Sequence, residues 1–258
     1  MTLLKRLIRG SAFRTLNTIV SIAIGFFMLP FLLNHLGEDI YGIWVLVGSI
    51  TASFYLFDLG FASAVTRFIA AALTRKDKIE AQQVCSTAFI LYCGLGVLII
   101  VATCALALLT PNVTSNSEND RLIQLLIIIT GLRIAIGFPF KSFAGIISYH
   151  IRFDLMAATR LFFVLASTIA TVIAILTGKG IIAVAIIGLV SSFVSDIVFR
   201  VISSHMEPQV KIKLSSFSRS QLKALYSFSA WAFLIDISRL LQERAPVWSI
   251  GIFSTPNY

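Results

Sequence analysis

The stretch from Val84 to Leu109 reads VCSTAFILYCGLGVLIIVATCALALL and contains no charged residue. As a helix it would be about 39 Å long at 1.5 Å per residue, more than the roughly 30 Å hydrocarbon core of a bilayer. Its apolar residues do not alternate with polar ones, as they would in a barrel strand of about 10 residues. It reads as a membrane-spanning helix. Six further runs of the same kind surround it: Phe13–Leu36, Tyr41–Ala72, Leu122–Phe140, Leu155–Thr177, Ile181–Ile202 and Leu225–Phe253. The composition of the 258 residues agrees, with 57% hydrophobic, 13% charged and a mean hydropathy of +0.91. A soluble domain is about 45–50% apolar and about 25% charged, so a soluble globular enzyme is excluded. The 21 phenylalanines exclude disorder. The expected class is an all-α polytopic membrane protein with about seven transmembrane helices.

Three of these spans carry internal punctuation. The over-long second one is interrupted by Asp58-Leu59-Gly60, where a bend is expected. The fourth holds Pro139 and the seventh Pro246, and both can kink. Lys5, Arg6 and Arg9 precede the first span as they would in a signal peptide. That span is too long for one, and no small-residue cleavage site follows it. Cys85, Cys93 and Cys104 fall in one apolar run and read as small apolar residues rather than as a disulfide or metal set.

Charge sorts the two sides. With the N-terminus inside, the inner segments carry Lys5, Arg6, Arg9 and Arg14, then Arg75, Lys76 and Lys78, then Lys141 and Arg152. Arg200, Lys211, Lys213, Arg219 and Lys223 complete that side, and the outer segments hold only Arg121 and Lys179. Fourteen cations against two predict a cytoplasmic N-terminus. The longest loop, about residues 203–224, is basic and cytoplasmic. It separates two halves of a larger protein, forms an amphipathic helix on the anionic inner leaflet, or does both. The expected division is a six-helix bundle at 1–202, a basic linker at 203–224 and a further helix at 225–258.

The segment Leu36-Gly37-Glu38-Asp39-Ile40-Tyr41-Gly42-Ile43-Trp44 resembles the turn after helix 1 in polysaccharide flippases. These are the Wzx-type O-antigen translocases of the multidrug/oligosaccharidyl-lipid/polysaccharide (MOP) exporter superfamily. Phe57-Asp58-Leu59-Gly60-Phe61-Ala62, followed by Arg67, is similar to that family's bend in helix 2, and Leu29-Pro30-Phe31-Leu32-Leu33 fits as well. The resemblance is specific mainly in residues 28–75. It implies a transporter of 12–14 helices in two pseudo-symmetric halves, of which this chain would be the first half plus the first helix of the second. A truncated product or fragment is then expected, against the alternative of a complete seven-helix protein. The seventh helix would have few partners within the first six. The implied function is translocation of an undecaprenyl-pyrophosphate-linked oligosaccharide for O-antigen or lipopolysaccharide synthesis. It would proceed across the bacterial inner membrane by alternating access. The implied partners are that lipid-linked oligosaccharide pyrophosphate, membrane lipid and other polysaccharide assembly proteins.

Charges at bilayer depth cost at least about 2.5–3.5 kcal/mol on insertion scales and mark candidate sites. Arg133 lies near the centre of the fourth span, with no oppositely charged residue three or four positions away. Asp58 and Arg67 lie in the second span, Arg160 in the fifth, and Asp236 and Arg239 in the seventh; with Arg133 these are the candidate substrate-binding residues. Arg67, Arg160 and Asp196 lie close enough to the interface to snorkel instead. Asp236, Arg239, Glu243 and Arg244 are spaced to neutralise one another on one helix face. Asp196 reads as the most interfacial. Without it, five arginines stand against Asp58, Asp236 and Glu243. A cationic cavity suits an anionic cargo, because guanidinium binds phosphate bidentately. A multidrug or cation exporter of the same superfamily would want an acidic cavity. Asn17, Thr18, Ser21, Trp44 and Tyr55 are candidates to meet sugars.

Enzymatic chemistry finds little support. His35, His150 and His205 are too scattered for a metal, and there is no Gly-rich phosphate loop. No cofactor is expected. The basic residues are spread over separate loops, which argues against nucleic acid. A seven-helix membrane protein of another function stays open as the alternative.

Overall fold

The structure, a computed structural model, describes residues 3–113 and 119–234. Helix α1 is Leu3–Leu36, α2 is Glu38–Ala52, α3 is Phe61–Thr74 and α4 is Lys78–Val113. After them come α5 at Asp120–Gly137, α6 at Ala144–Tyr149, α7 at Phe153–Leu176 and α8 at Gly180–Met206. Residues 219–234 are helical as well and are called α9 here. Short 3-10 segments at Ser53–Asp58, Phe138–Phe143 and Leu214–Ser216 join or extend these helices, and no strand occurs among the described residues. The chain is an all-α polytopic membrane protein. Among the described residues six segments are long and apolar enough to cross a bilayer: Ser11–Leu36, Glu38–Asp58, Lys78–Thr110, Asp120–Tyr149, Phe153–Leu176 and Gly180–Met206. Only residues 225–234 of the seventh expected span, Leu225–Phe253, fall among the described residues.

Two breaks expected from sequence are present. The run that looked like one over-long span is split: Leu59 (φ 48°) and Gly60 (φ 77°) both take left-handed backbone before α3 begins. Glycine tolerates that conformation and leucine resists it, so Leu59 holds backbone strain at the joint. Pro139 ends α5, but the span does not end there. The chain continues through the 3-10 turn Phe138–Phe143 into α6, so the fourth span runs Asp120–Tyr149 rather than Leu122–Phe140. Lys141 therefore belongs to a membrane segment and not to the inner loop.

Large apolar side chains point outward, as lipid requires: Phe26 is 77% exposed, Phe27 71% and Leu108 77%. Without water between helices, packing holds the bundle, and small residues permit close approach. Helices α4 and α5 meet through two such contacts. A Cβ on Gly96 would lie 2.8 Å from the Ala135 carbonyl oxygen, and one on Gly131 would collide with the Thr103 side chain. Thr103 donates its hydroxyl to Ile99 of its own helix at 2.7 Å, so it satisfies its polar group without help from α5. In the same way Gly145 of α6 lets that helix sit against Thr66 and Ile69 of α3. Other neighbours are α1 against α7, α7 against α8, α5 against α8, α3 against α4 and α2 against α5.

The basic connector is docked. The Lys213 N–H donates to Ser86 Oγ at 3.1 Å, the Ser218 N–H to Thr87 Oγ1 at 3.1 Å, and Gln82 Nε2 to Ser216 Oγ at 2.8 Å. Residues 207–218 hold only the 3-10 turn, not the amphipathic helix offered as an alternative. Helix α9 starts at residue 219, inside the expected linker, and has more partners than expected. Leu225 is fully buried, Tyr226 meets the Phe61 ring edge-on, and Ala232 and Phe233 pack on Gly60.

Candidate functional site

A cavity of about 680 Å³ lies between α1, α2, α5, α7 and α8. Its charged residues are Arg133 of α5, Lys141 of the following 3-10 turn, Arg160 of α7 and Asp196 of α8. Arg133 and Arg160, both candidates from sequence, converge there. Ser191, Ser192 and Ser195 of α8 and Ser167 and Thr171 of α7 line it with hydroxyls. Trp44, Tyr55, Phe140, Phe163 and Phe199 give it an aromatic component. Lys141, Arg160 and Asp196 lie in the half of their spans next to Tyr149, Phe153 and Met206, so the charged part faces the side that carries the 207–218 connector.

Arg133 is held from one edge. Its Nε donates to Ser192 Oγ at 2.7 Å, and Nη1 passes over Gly188, where a Cβ would lie 2.9 Å away. The terminal guanidinium nitrogens have no protein acceptor among the described residues. That is the fork geometry that grips a phosphate or carboxylate through two parallel hydrogen bonds. Asp196, read from sequence as the most interfacial of the charges, does not face outward to snorkel. It lines the cavity, close enough for the charges of Arg133 and Arg160 to act on it, and Gly137 leaves room beside its carboxylate.

Asp58 reaches the cavity only through Lys141. Lys141 Nζ bonds Asp58 Oδ2 at 2.5 Å and lies 3.9 Å from the centre of the Phe138 ring and 5.5 Å from that of Tyr55. Asp58 Oδ1 accepts from the Ala62 N–H at 2.9 Å and from the Tyr92 hydroxyl at 3.3 Å. One carboxylate thus caps the start of α3, ties it to α4 and holds a cavity cation. Lys141 is the site residue that the sequence did not point to, because the fourth span was bounded at Phe140 and Lys141 fell just outside it among the inner-side cations. The apolar run Phe143–Ile147 just after it was the available signal. The serines of α8, spaced Ser-Ser-x-x-Ser over 191–195, were a second signal not used.

Arg67 does not line the cavity; its guanidinium lies 4.5 Å from the centre of the Phe228 ring of α9. Asp236, Arg239, Glu243 and Arg244 lie outside the described residues. Of the candidates to meet sugars, Asn17, Trp44 and Tyr55 line the cavity. Asn17 Oδ1 is buried with no hydrogen-bond partner among the described residues. Thr18 is not in the lining and donates to the Arg14 carbonyl at 3.1 Å; Ser21 is exposed elsewhere on α1. Lysine and two arginines face one aspartate in the cavity, with Asp58 behind the lysine, so the surplus is positive.

A family profile described as polysaccharide biosynthesis protein matches residues 36–257. Among curated proteins none matches the sequence at a significant level. Two solved structures share the fold, each at a TM-score of 0.70 and 20% identity over 90% of this chain. One is a MOP superfamily transporter from Pyrococcus furiosus, for which reverse polarity of the binding pocket is said to suggest a different function. The other is an outward-facing multidrug resistance MATE family transporter of the same superfamily. This chain spans about half of each, 51%.

Proposed function

Because the chain belongs to the polysaccharide biosynthesis protein family, we propose that it forms one wall of a membrane path for a lipid-linked oligosaccharide pyrophosphate. The observation that carries this reading is the cationic cavity, with the open fork of Arg133 beside Lys141 and Arg160. A pyrophosphate carries the charge such a group of cations favours, and a cationic drug does not. The serines and aromatic rings suit hydroxylated, flat-faced sugars. The prenyl tail stays in lipid while the head passes through the cavity, so no charge crosses hydrocarbon.

The N-terminus is cytoplasmic, which places the charged half of the cavity toward the leaflet where the lipid-linked unit is built. The membrane is the bacterial inner membrane, and the glycan is of the O-antigen or lipopolysaccharide kind. The first bundle ends with α8 and residues 207–218 form the link, with α9 opening the second. Transport proceeds by alternating access between two bundles around the cavity. The protein moves its substrate without chemistry on it, and its further partners are other polysaccharide assembly proteins.

The test is Arg133→Ala in the native host. Export of surface glycan is expected to fall to background while the protein still inserts, because removing a central charge eases insertion. Arg133→Lys keeps the charge but not the fork, and partial export is expected. Wild-type export by Arg133→Ala overturns the reading.

A further inference from the structure

Lys141 is shared between two surroundings. Its ammonium lines the cavity, yet its partner Asp58 belongs to the joint between α2 and α3. Both side chains are partly accessible, 26% for Lys141 and 16% for Asp58, so a ligand in the cavity can reach the ion pair. The joint itself is strained at Leu59, and α9 is pressed against Gly60 so tightly that a Cβ there would meet Ala232 Cβ and Phe233 N at 3.0 Å. A phosphate held by Arg133 and Arg160 competes with Asp58 for the same ammonium. We propose that Lys141 is an anion-binding residue that exchanges partners: a phosphate-bearing head group draws it off Asp58, and the freed carboxylate loosens the Leu59–Gly60 joint on which α9 rests. Cavity occupancy is thereby relayed to α9 along the path Lys141, Asp58, Gly60. This rests on the cavity being an anion site and adds the residue through which occupancy is felt.

Competition makes an unusual mutational signature. Asp58→Asn keeps an oxygen that accepts from Ala62 and Tyr92, so the α3 cap survives while the charge that holds Lys141 is gone. Lys141→Gln removes the binding cation but strands the Asp58 charge. The double variant Asp58→Asn/Lys141→Gln removes both and serves if the single lysine variant does not fold. Each is made in the full chain and purified in nanodiscs. Binding of inorganic pyrophosphate, farnesyl pyrophosphate and farnesol is then measured by calorimetry.

Affinity for both pyrophosphates is expected to rise several-fold in Asp58→Asn. It is expected to fall roughly tenfold in Lys141→Gln or the double variant, the scale of one charge-assisted hydrogen bond. Farnesol is expected not to respond to either change. A rise with farnesyl pyrophosphate alone identifies a lipid head group as the source of the anion, and a rise with both identifies the phosphate itself. If Arg133→Ala weakens pyrophosphate binding while Asp58→Asn leaves it equal or weaker, the exchange is overturned and the anion site stands. If Arg133→Ala and the lysine variants all bind as wild type, the anion site falls and this inference with it. Spin labels at Ser49→Cys and Thr74→Cys, with the three native cysteines replaced, read the joint directly. Pyrophosphate is expected to broaden or shift their distance in wild type. An unchanged distance at saturating ligand overturns the relay to the joint.

Discussion

Arg133 and Gly188 are a matched pair across the α5–α8 contact. The guanidinium lies where a side chain at 188 would stand, with Nη1 at 2.9 Å from the position of a Cβ, and Ser192 one turn further along α8 takes its Nε–H. The glycine sets the height of the fork and the serine sets its rotation.

Gly188→Ala is therefore expected to separate function from stability. The clashing atom is the far end of a flexible side chain, so the arginine can move away at little cost. Alanine also favours helix over glycine by about 1 kcal/mol. The thermal midpoint in detergent should stay the same or rise slightly. Pyrophosphate affinity should drop several-fold, because the fork loses its seat beside Ser192. A variant that binds as wild type would show that the position of Arg133 does not matter to the site.

The membrane class, the break at Asp58-Leu59-Gly60 and the polar surroundings of Arg133 were legible in the sequence because each depends on local chemistry. A charge-free run such as Val84–Leu109 has few folds open to it, and a lone arginine in a span must face something polar. What was not legible depended on partners far along the chain. Asp196 looked interfacial from its distance to the end of α8, but Gly137 of α5 opens space for it inside the cavity. Arg67 looked like a path residue, and the ring that occupies it, Phe228, lies 161 positions away in a helix expected to have few partners. Lys141 was misplaced because a charge one residue past Phe140 reads as the edge of a span. In the structure Pro139 starts a 3-10 turn that carries the span onward.

The α4–α5 interface gives a prediction about packing alone. Gly131→Ala sets a methyl against the side chain of Thr103, whereas Gly96→Ala sets one 2.8 Å from the backbone oxygen of Ala135. A side chain can be trimmed and a backbone cannot. Both single variants are expected to lose about 1–3 kcal/mol of stability, the usual cost of overpacking. Adding Thr103→Ala should rescue Gly131→Ala and leave Gly96→Ala unrescued. Size-exclusion profiles after heating in detergent read this directly. Equal rescue of both, or of neither, would contradict the interface described here.

The last prediction concerns how the chain lies in the membrane. Helix α8 has 27 residues, about 40 Å at 1.5 Å per residue, enough to cross the hydrocarbon core. Lys179 precedes it and Ser215 follows it in the docked connector, so the two must lie on opposite faces. The cations assign the faces, because the connector and α9 carry Lys211, Lys213, Arg219 and Lys223, while the α7–α8 turn carries Lys179 alone. In a background without Cys85, Cys93 and Cys104, Lys179→Cys is expected to react with an impermeant maleimide in intact cells. Ser215→Cys is expected to react only after permeabilisation; its side chain is exposed, so protection by burial does not confuse the result. Reaction of both from one side would mean that α8 does not cross. The reverse pattern would keep the fold but turn the protein over, and the charged half of the cavity would then face away from the leaflet on which lipid-linked sugars are assembled.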